Sequence, residues 1–225
     1  MPQVLALTRT LVGKKIVMAV SGVMLLLFLV VHMLGNLKVF QGADHFNAYA
    51  EGLRTVGAPF FARGQILWLA RLVLLPALVL HIWAAAAVTA AGWRARPTAY
   101  RRLELVETTY AARTLRWGGV IIFLYLVYHL LDLTFGAANP GYEPGNVYRN
   151  LVASFQRAPV AALYMAANVV VGLHIYHGLW SAFQTLGLNH RHTDRWRRGL
   201  AGAAAGALTA GYLVVPVAVL AGWVR

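Results

Sequence analysis

The sequence predicts an all-α membrane protein, a five-transmembrane-helix bundle in a single domain spanning residues 1–225, and three observations carry that prediction. The 225 residues are 60% hydrophobic and only 12% charged, with a mean hydropathy of +0.61, outside the range of ordinary globular domains. The apolar residues gather into five long runs, about 16–40, 65–93, 117–135, 160–188 and 202–223. The 20 Lys+Arg, set against 7 Asp+Glu, sit in short clusters between those runs. Membrane proteins distribute charge in this way, so the formal +13 reads as loop charge and not as a nucleic-acid surface.

The first run, Ile16 to Phe40, follows Gly13-Lys14-Lys15 and has the basic start of a signal peptide. It is too long for one, no A-x-A-like site closes it, and His32 with the Gly35-Asn36 pair marks a permanent helix. The second run, Gln65 to Trp93, is apolar apart from Arg71 and His81, with Pro76 expected to kink it. The third, Trp117 to Phe135, carries His129 and ends near Asp132 and Gly136. The fourth, Val160 to about Leu188, holds Asn168, His174 and His177, and the fifth, Gly202 to Trp223, is rich in small residues and contains Pro216. At ~1.5 Å per residue each crosses a ~30 Å hydrocarbon layer, the third only just.

Between the runs, Ala43 to Val56 places Phe46, Tyr49, Ala50 and Leu53 at helical spacing, as expected of a short amphipathic helix in the interface. Ala137 to Pro159 contains Pro140, Gly141, Pro144 and Gly145 and is expected to be turn-rich. Lys and Arg number thirteen on the side of the N-terminus and of the 94–116 loop, against six on the other. The positive-inside rule then puts the N-terminus in the cytoplasm and the C-terminus outside.

With no Cys, the chain alone cannot make a disulfide, a thiolate metal site, a cysteine nucleophile or an iron–sulfur cluster. Any metal or cofactor must hang on the 8 His. Ionisable groups inside hydrocarbon are expensive, and about one His falls on each of the first four helices: His32, His81, His129, and His174 or His177. His32 lies ~24 Å from the inner end of its helix, and the others lie ~15 to 21 Å from theirs. His32 and His129 come late on helices running outward, His81 and His174 late on helices running inward, so topology suggests an outer pair and an inner pair. Two neutral imidazoles facing each other are what a six-coordinate haem iron requires, and the fold class is therefore a bundle binding haem between its first four helices. Gly22, Gly35, Ala84, Ala85, Gly118, Gly119 and Gly172 would let a flat macrocycle approach the backbone. A lone membrane histidine serves equally as a helix–helix hydrogen-bonding residue, but four on four helices do not suggest that role. Zinc is a poorer fit, because close paired spacing and carboxylate or thiol ligands are missing. His174 and His177, three apart on one face, cannot both be axial ligands of one haem. His45, His190 and His192 are expected in loops, facing solvent.

The stretch KKIVMAVSGVMLLLFLVVHMLGNLKVFQGADHFNAYAEGL, Lys14 to Leu53, resembles the first helix and following loop of a known family. That family is the five-helix cytochrome b membrane anchor of succinate:quinone oxidoreductase (complex II) in its single-subunit b558 form, related to the anchor of dihaem fumarate reductases. HIYHGLWSAFQTLGLN, His174 to Asn189, resembles its fourth helix and exit, and the likeness covers nearly the whole chain. The resemblance implies two haems b, a distal one on His32 and His129 and a proximal one on His81 and His174. It selects His174 as the ligand because this residue precedes Gly178-Leu179-Trp180 by four, and leaves His177 as a supporting neighbour.

It further implies that the chain has no catalytic residue of its own and acts as the membrane subunit of an enzyme whose succinate chemistry lies on partner subunits. A flavoprotein with FAD and an iron–sulfur protein would dock on the cytoplasmic face of a prokaryotic cytoplasmic membrane, and electrons would pass to a membrane quinone, expected to be menaquinone. Arg94 to Arg116 would form the docking face, although positive-inside bias explains those charges as well. Arg71, inside the second helix, would meet a haem propionate or snorkel to the interface; Lys38 and Arg116 could meet propionates at the two surfaces. Ser21 and Asn168 are expected to serve helix packing. Glu51 and Asp132 are expected as caps or solvated groups, or as proton relays for quinone chemistry. Readings left beside this one are the anchor of a quinol:fumarate reductase, a haem-free anchor and a haem-free proton or metal relay. Assembly as single complexes or as a trimer stays open.

Overall fold

The computed structural model describes residues 8–95, 110–188 and 191–225, with backbone alone for 110–114 and 191. Arg96, Arg101, Arg102 and His190 fall outside the described residues, as does the Arg113 side chain. Among the described residues the chain is helical with no strand, and five helices are long and apolar enough to cross a membrane. Helices answer the physics of that solvent, since each satisfies its own backbone where no water can.

Helix α1, Leu11–Asn36, starts where Thr10 accepts a hydrogen bond from the Gly13 amide, and closes in a tighter turn over Leu37–Gln41. Gly42, at φ 90°, breaks the direction and leads into α2, Ala43–Thr55, the expected amphipathic helix, which buries Phe46. Helix α3, Gln65–Arg94, runs continuously through Pro76. Helix α4, Tyr110–His129, passes into a wide π turn over Leu130–Thr134.

The following connection departs from expectation. It is turn-rich only as far as Asn146, whose side chain accepts from the Arg149 amide and starts α5, Val147–Phe155. The prolines and glycines ahead of it hid a short run that buries Leu151, Val152, Ser154 and Phe155. Helix α6, Ala158–Thr185, has Pro159 in its first turn, where the missing amide costs nothing. Helix α7, Asp194–Leu220, begins eight residues before the expected 202, because Asp194 pairs with Arg197 and Arg198 one turn on and holds a polar first turn in helix.

Helix α6 packs against α7, α4, α1 and α5, and α1 packs against α3, α6 and α7. The α6–α7 seam is close because small residues line it: Ala201 and Ala205 are buried, and a methyl on Gly172 would overlap the Thr209 hydroxyl. Tyr212 ties α7 to α1 by donating to the Leu29 carbonyl at 2.7 Å. At the far end of α1, α2 and α5 cover the bundle; Asn47 donates to Asn146 at 3.1 Å and accepts from the Tyr148 amide at 3.0 Å. Leu69, Leu72, Leu75 and Val79 of α3, and Val120, Leu124 and Val127 of α4, stand exposed as lipid-facing side chains do.

Candidate functional site

Four helices each bring one histidine inward, and the structure joins them as two pairs. His32 of α1 faces His129 of α4 with ring centres 6.0 Å apart. His81 of α3 faces His174 of α6 at 6.1 Å. Neither α1 with α4 nor α3 with α6 is a closely packed helix pair, although α1 packs on α3 and α4 on α6. Each pair of rings therefore reaches across a space between backbones that stand apart. The pairs occupy two levels of the bundle. His81 contacts α1 at Met18 and Ser21, and His32 lies three to four turns further along the same helix, ~17–21 Å on.

The surroundings differ from pair to pair. The Nδ1 of His81 lies 3.0 Å from the Met18 carbonyl, which can only accept, so His81 donates there and keeps Nε2 as its lone-pair nitrogen. Ser21, itself buried and donating to the Val17 carbonyl, sits 3.4 Å from the same Nδ1. Gly22 makes room for this ring; a methyl there would stand 3.0 Å from the His81 Cε1. The buried Nδ1 atoms of His174 and His177 have no hydrogen-bond partner. His177 leans on Trp180, ring centres 5.8 Å apart.

Around the other pair, Phe28 stacks on His32 at 5.3 Å, and Tyr212 lies 6.3 Å from it. The Nδ1 of His129 lies 3.4 Å from the hydroxyl of Tyr164. Tyr164 in turn donates to Asp132 Oδ2 at 2.9 Å, so its oxygen accepts from His129. Asp132 is wholly buried; Ser154 donates to it, and Arg157 Nη2 donates to its Oδ1 at 2.7 Å. This corrects the expectation of a cap or a solvated group. Asp132 instead sits at the centre of a closed polar network whose other members lie on α6 and in the segment just before it. Glu51 does stand at the surface, paired with Arg54 and Arg63.

Other expected residues are placed as follows. Arg71 is exposed with its guanidinium 4.8 Å over the Trp68 ring. Lys38 lies over Tyr49 at 5.2 Å, and Arg116 over Trp93 at 6.0 Å. Asn168 is buried and donates to the Tyr164 carbonyl. His45 and His192 are exposed. Gly35 and Gly172 do not open space for a flat group: Tyr49 and Thr209 fill the room beside them.

Sequence reasoning missed the network around Asp132, although one signal was present. Asp132 follows His129 by three, so both lie on one face of a helix. Among the described residues no group of three or more His, Asp or Glu converges to hold a metal. A site built from two imidazoles needs a group that brings its own equatorial donors. The rings of the two pairs stand 6.0 and 6.1 Å apart, close enough for each pair of imidazoles to hold one metal ion between them. The free Nε2 inferred for His81 and for His129 would suit a metal ligand whose other nitrogen is held by the protein. The residues present thus fit a haem at each pair. Comparison with protein-family models, with curated proteins and with solved structures gives no match.

Proposed function

We propose that this chain is the dihaem cytochrome b anchor of succinate:quinone oxidoreductase, with one haem b on His32 and His129 and the other on His81 and His174. The observation that carries the reading is the pair of imidazole pairs, at 6.0 and 6.1 Å, across helices that are not packed on each other. When bound, haem supplies one-electron redox chemistry. The chain's own residues do the rest. His81 and His129 are oriented through their Nδ1 atoms, and the two levels of the bundle would give a path across the membrane.

A flavoprotein and an iron–sulfur subunit would dock on the side bearing Arg94, Arg116, Arg195 and Arg198, which the positive-inside rule makes cytoplasmic. Two electrons and two protons would convert a membrane quinone to quinol. Arg71 is proposed as a propionate partner, and its exposed position also suits an interfacial role. Quinol-driven fumarate reduction would use the same geometry in reverse.

The test is a pyridine haemochrome assay and a reduced-minus-oxidised spectrum on the purified complex. Two haems b per chain, reducible by succinate, are expected, with His81→Ala and His129→Ala each removing one. Absence of haem from the intact complex would overturn the reading and leave a haem-free anchor or relay.

A further inference from the structure

The two histidine pairs are held by chemically different groups. His81 donates to a backbone carbonyl, that of Met18, which is neutral. His129 donates to the Tyr164 hydroxyl, and that hydroxyl donates to a carboxylate, Asp132. The carboxylate is fixed from every side, by Tyr164, by Ser154 and by Arg157, and none of its surface is exposed. The Tyr164 ring is locked as well, packed edge-on against Phe155 at 4.9 Å and Tyr125 at 5.2 Å. The π turn that follows His129 carries Asp132 on the same side, so both reach Tyr164.

We propose that Tyr164 and Asp132 are positioning residues for His129, fixing its tautomer and ring plane and making it the more strongly electron-donating ligand of the two that hydrogen-bond through Nδ1. This rests on the haem reading above. A chain of hydrogen bonds ending in an anion polarises the imidazole toward imidazolate, which stabilises ferric iron over ferrous. A backbone carbonyl does this less. The site at His32 and His129 is therefore tuned by a carboxylate that never touches it, and the site at His81 and His174 is not.

The test compares Tyr164→Phe and Asp132→Asn with the unaltered complex, reading haem content, the midpoint potential of each haem by redox titration, and the ferric electron paramagnetic resonance signature. Tyr164→Phe keeps the ring contacts and removes only the hydroxyl. The expected result is two haems retained, an upward shift of the potential at the His32–His129 site, a changed ferric signature there, and no change at the His81–His174 site. Selective loss of the His32–His129 haem in Tyr164→Phe also supports the proposal, because Phe preserves the packing. Unchanged potential and signature in both variants, or an equal shift of both haems, would overturn it. Absence of haem from the unaltered complex would instead defeat the functional reading on which it rests.

Discussion

Removing the guanidinium of Arg157 strands a charge. Asp132 is wholly buried and accepts from Arg157 Nη2 at 2.7 Å, from Tyr164 at 2.9 Å and from Ser154. Arg157→Met keeps much of the side-chain volume but leaves the carboxylate with two hydroxyl donors and no counter-ion. Taking one partner from a buried pair costs about 3–5 kcal/mol. Here the Arg157 side chain is 31% exposed, so water reaches that edge and the lower end applies. Arg157 also donates to the Ala138 carbonyl at 2.9 Å, a bond worth about 1 kcal/mol. A total loss of about 4 kcal/mol is expected, read as unfolding free energy in denaturant on the detergent-solubilised protein. In Arg157→Met with Asp132→Asn, no charge is left to strand, and the pair should be more stable than the sum of the two single losses by at least ~1 kcal/mol. A single-variant loss below ~0.5 kcal/mol, or strictly additive losses, would refute the claim that this carboxylate depends on that guanidinium.

Other predictions follow from separate contacts. Gly22→Ala puts a methyl 3.0 Å from His81 Cε1; a cost of about 1–3 kcal/mol and a spectral change confined to the His81–His174 site are expected, and an unaltered spectrum would contradict the close approach. Tyr212→Phe loses the bond to the Leu29 carbonyl, and a loss of about 0.6 kcal/mol in the same unfolding assay is expected, at the scale of hydrogen bonds inside membranes. Asn47→Ala unties α2 from α5, and faster amide exchange should appear in α2 while α6 keeps its protection; uniform change across both would show that the tie is not local. Because the chain has no Cys, single cysteines at the exposed His45 and Arg195 can be labelled with an impermeant maleimide. His45→Cys should react only from outside and Arg195→Cys only from the cytoplasmic side, and labelling of both from one side would break the topology.

How far residues announce their own surroundings differed along this chain. The spans were legible because lipid demands long unbroken apolar stretches, and Gln65–Arg94 fell within one residue of its expected bounds. Topology suggested pairing His32 with His129 and His81 with a histidine of the fourth helix, while His174 was picked over His177 only by the resemblance. Helix α5 was not legible. Its nine residues follow a Pro/Gly-rich stretch, and its apolar face makes sense only once α2, α6 and α7 are there to cover it. The burial of Asp132 was hidden for the same reason, because Ser154, Arg157 and Tyr164 lie more than twenty residues downstream, across a turn whose path no local pattern specifies.

The central place of α6 bears on how the molecule is made. A membrane chain is synthesised and inserted from its N-terminus, so α1, α3 and α4 are in the bilayer before α6 emerges. At that stage His81 has its Met18 contact but not the facing His174 ring, which is still unmade, and His129 lacks Tyr164 even though His32 is already present. Neither level of the bundle is complete until α6 has packed against α1 and α4, and α7 then closes over α6. Biogenesis therefore has a late step: an arrest before residue 158 would leave an intermediate with one histidine pair unmade and the other without its Tyr164 contact.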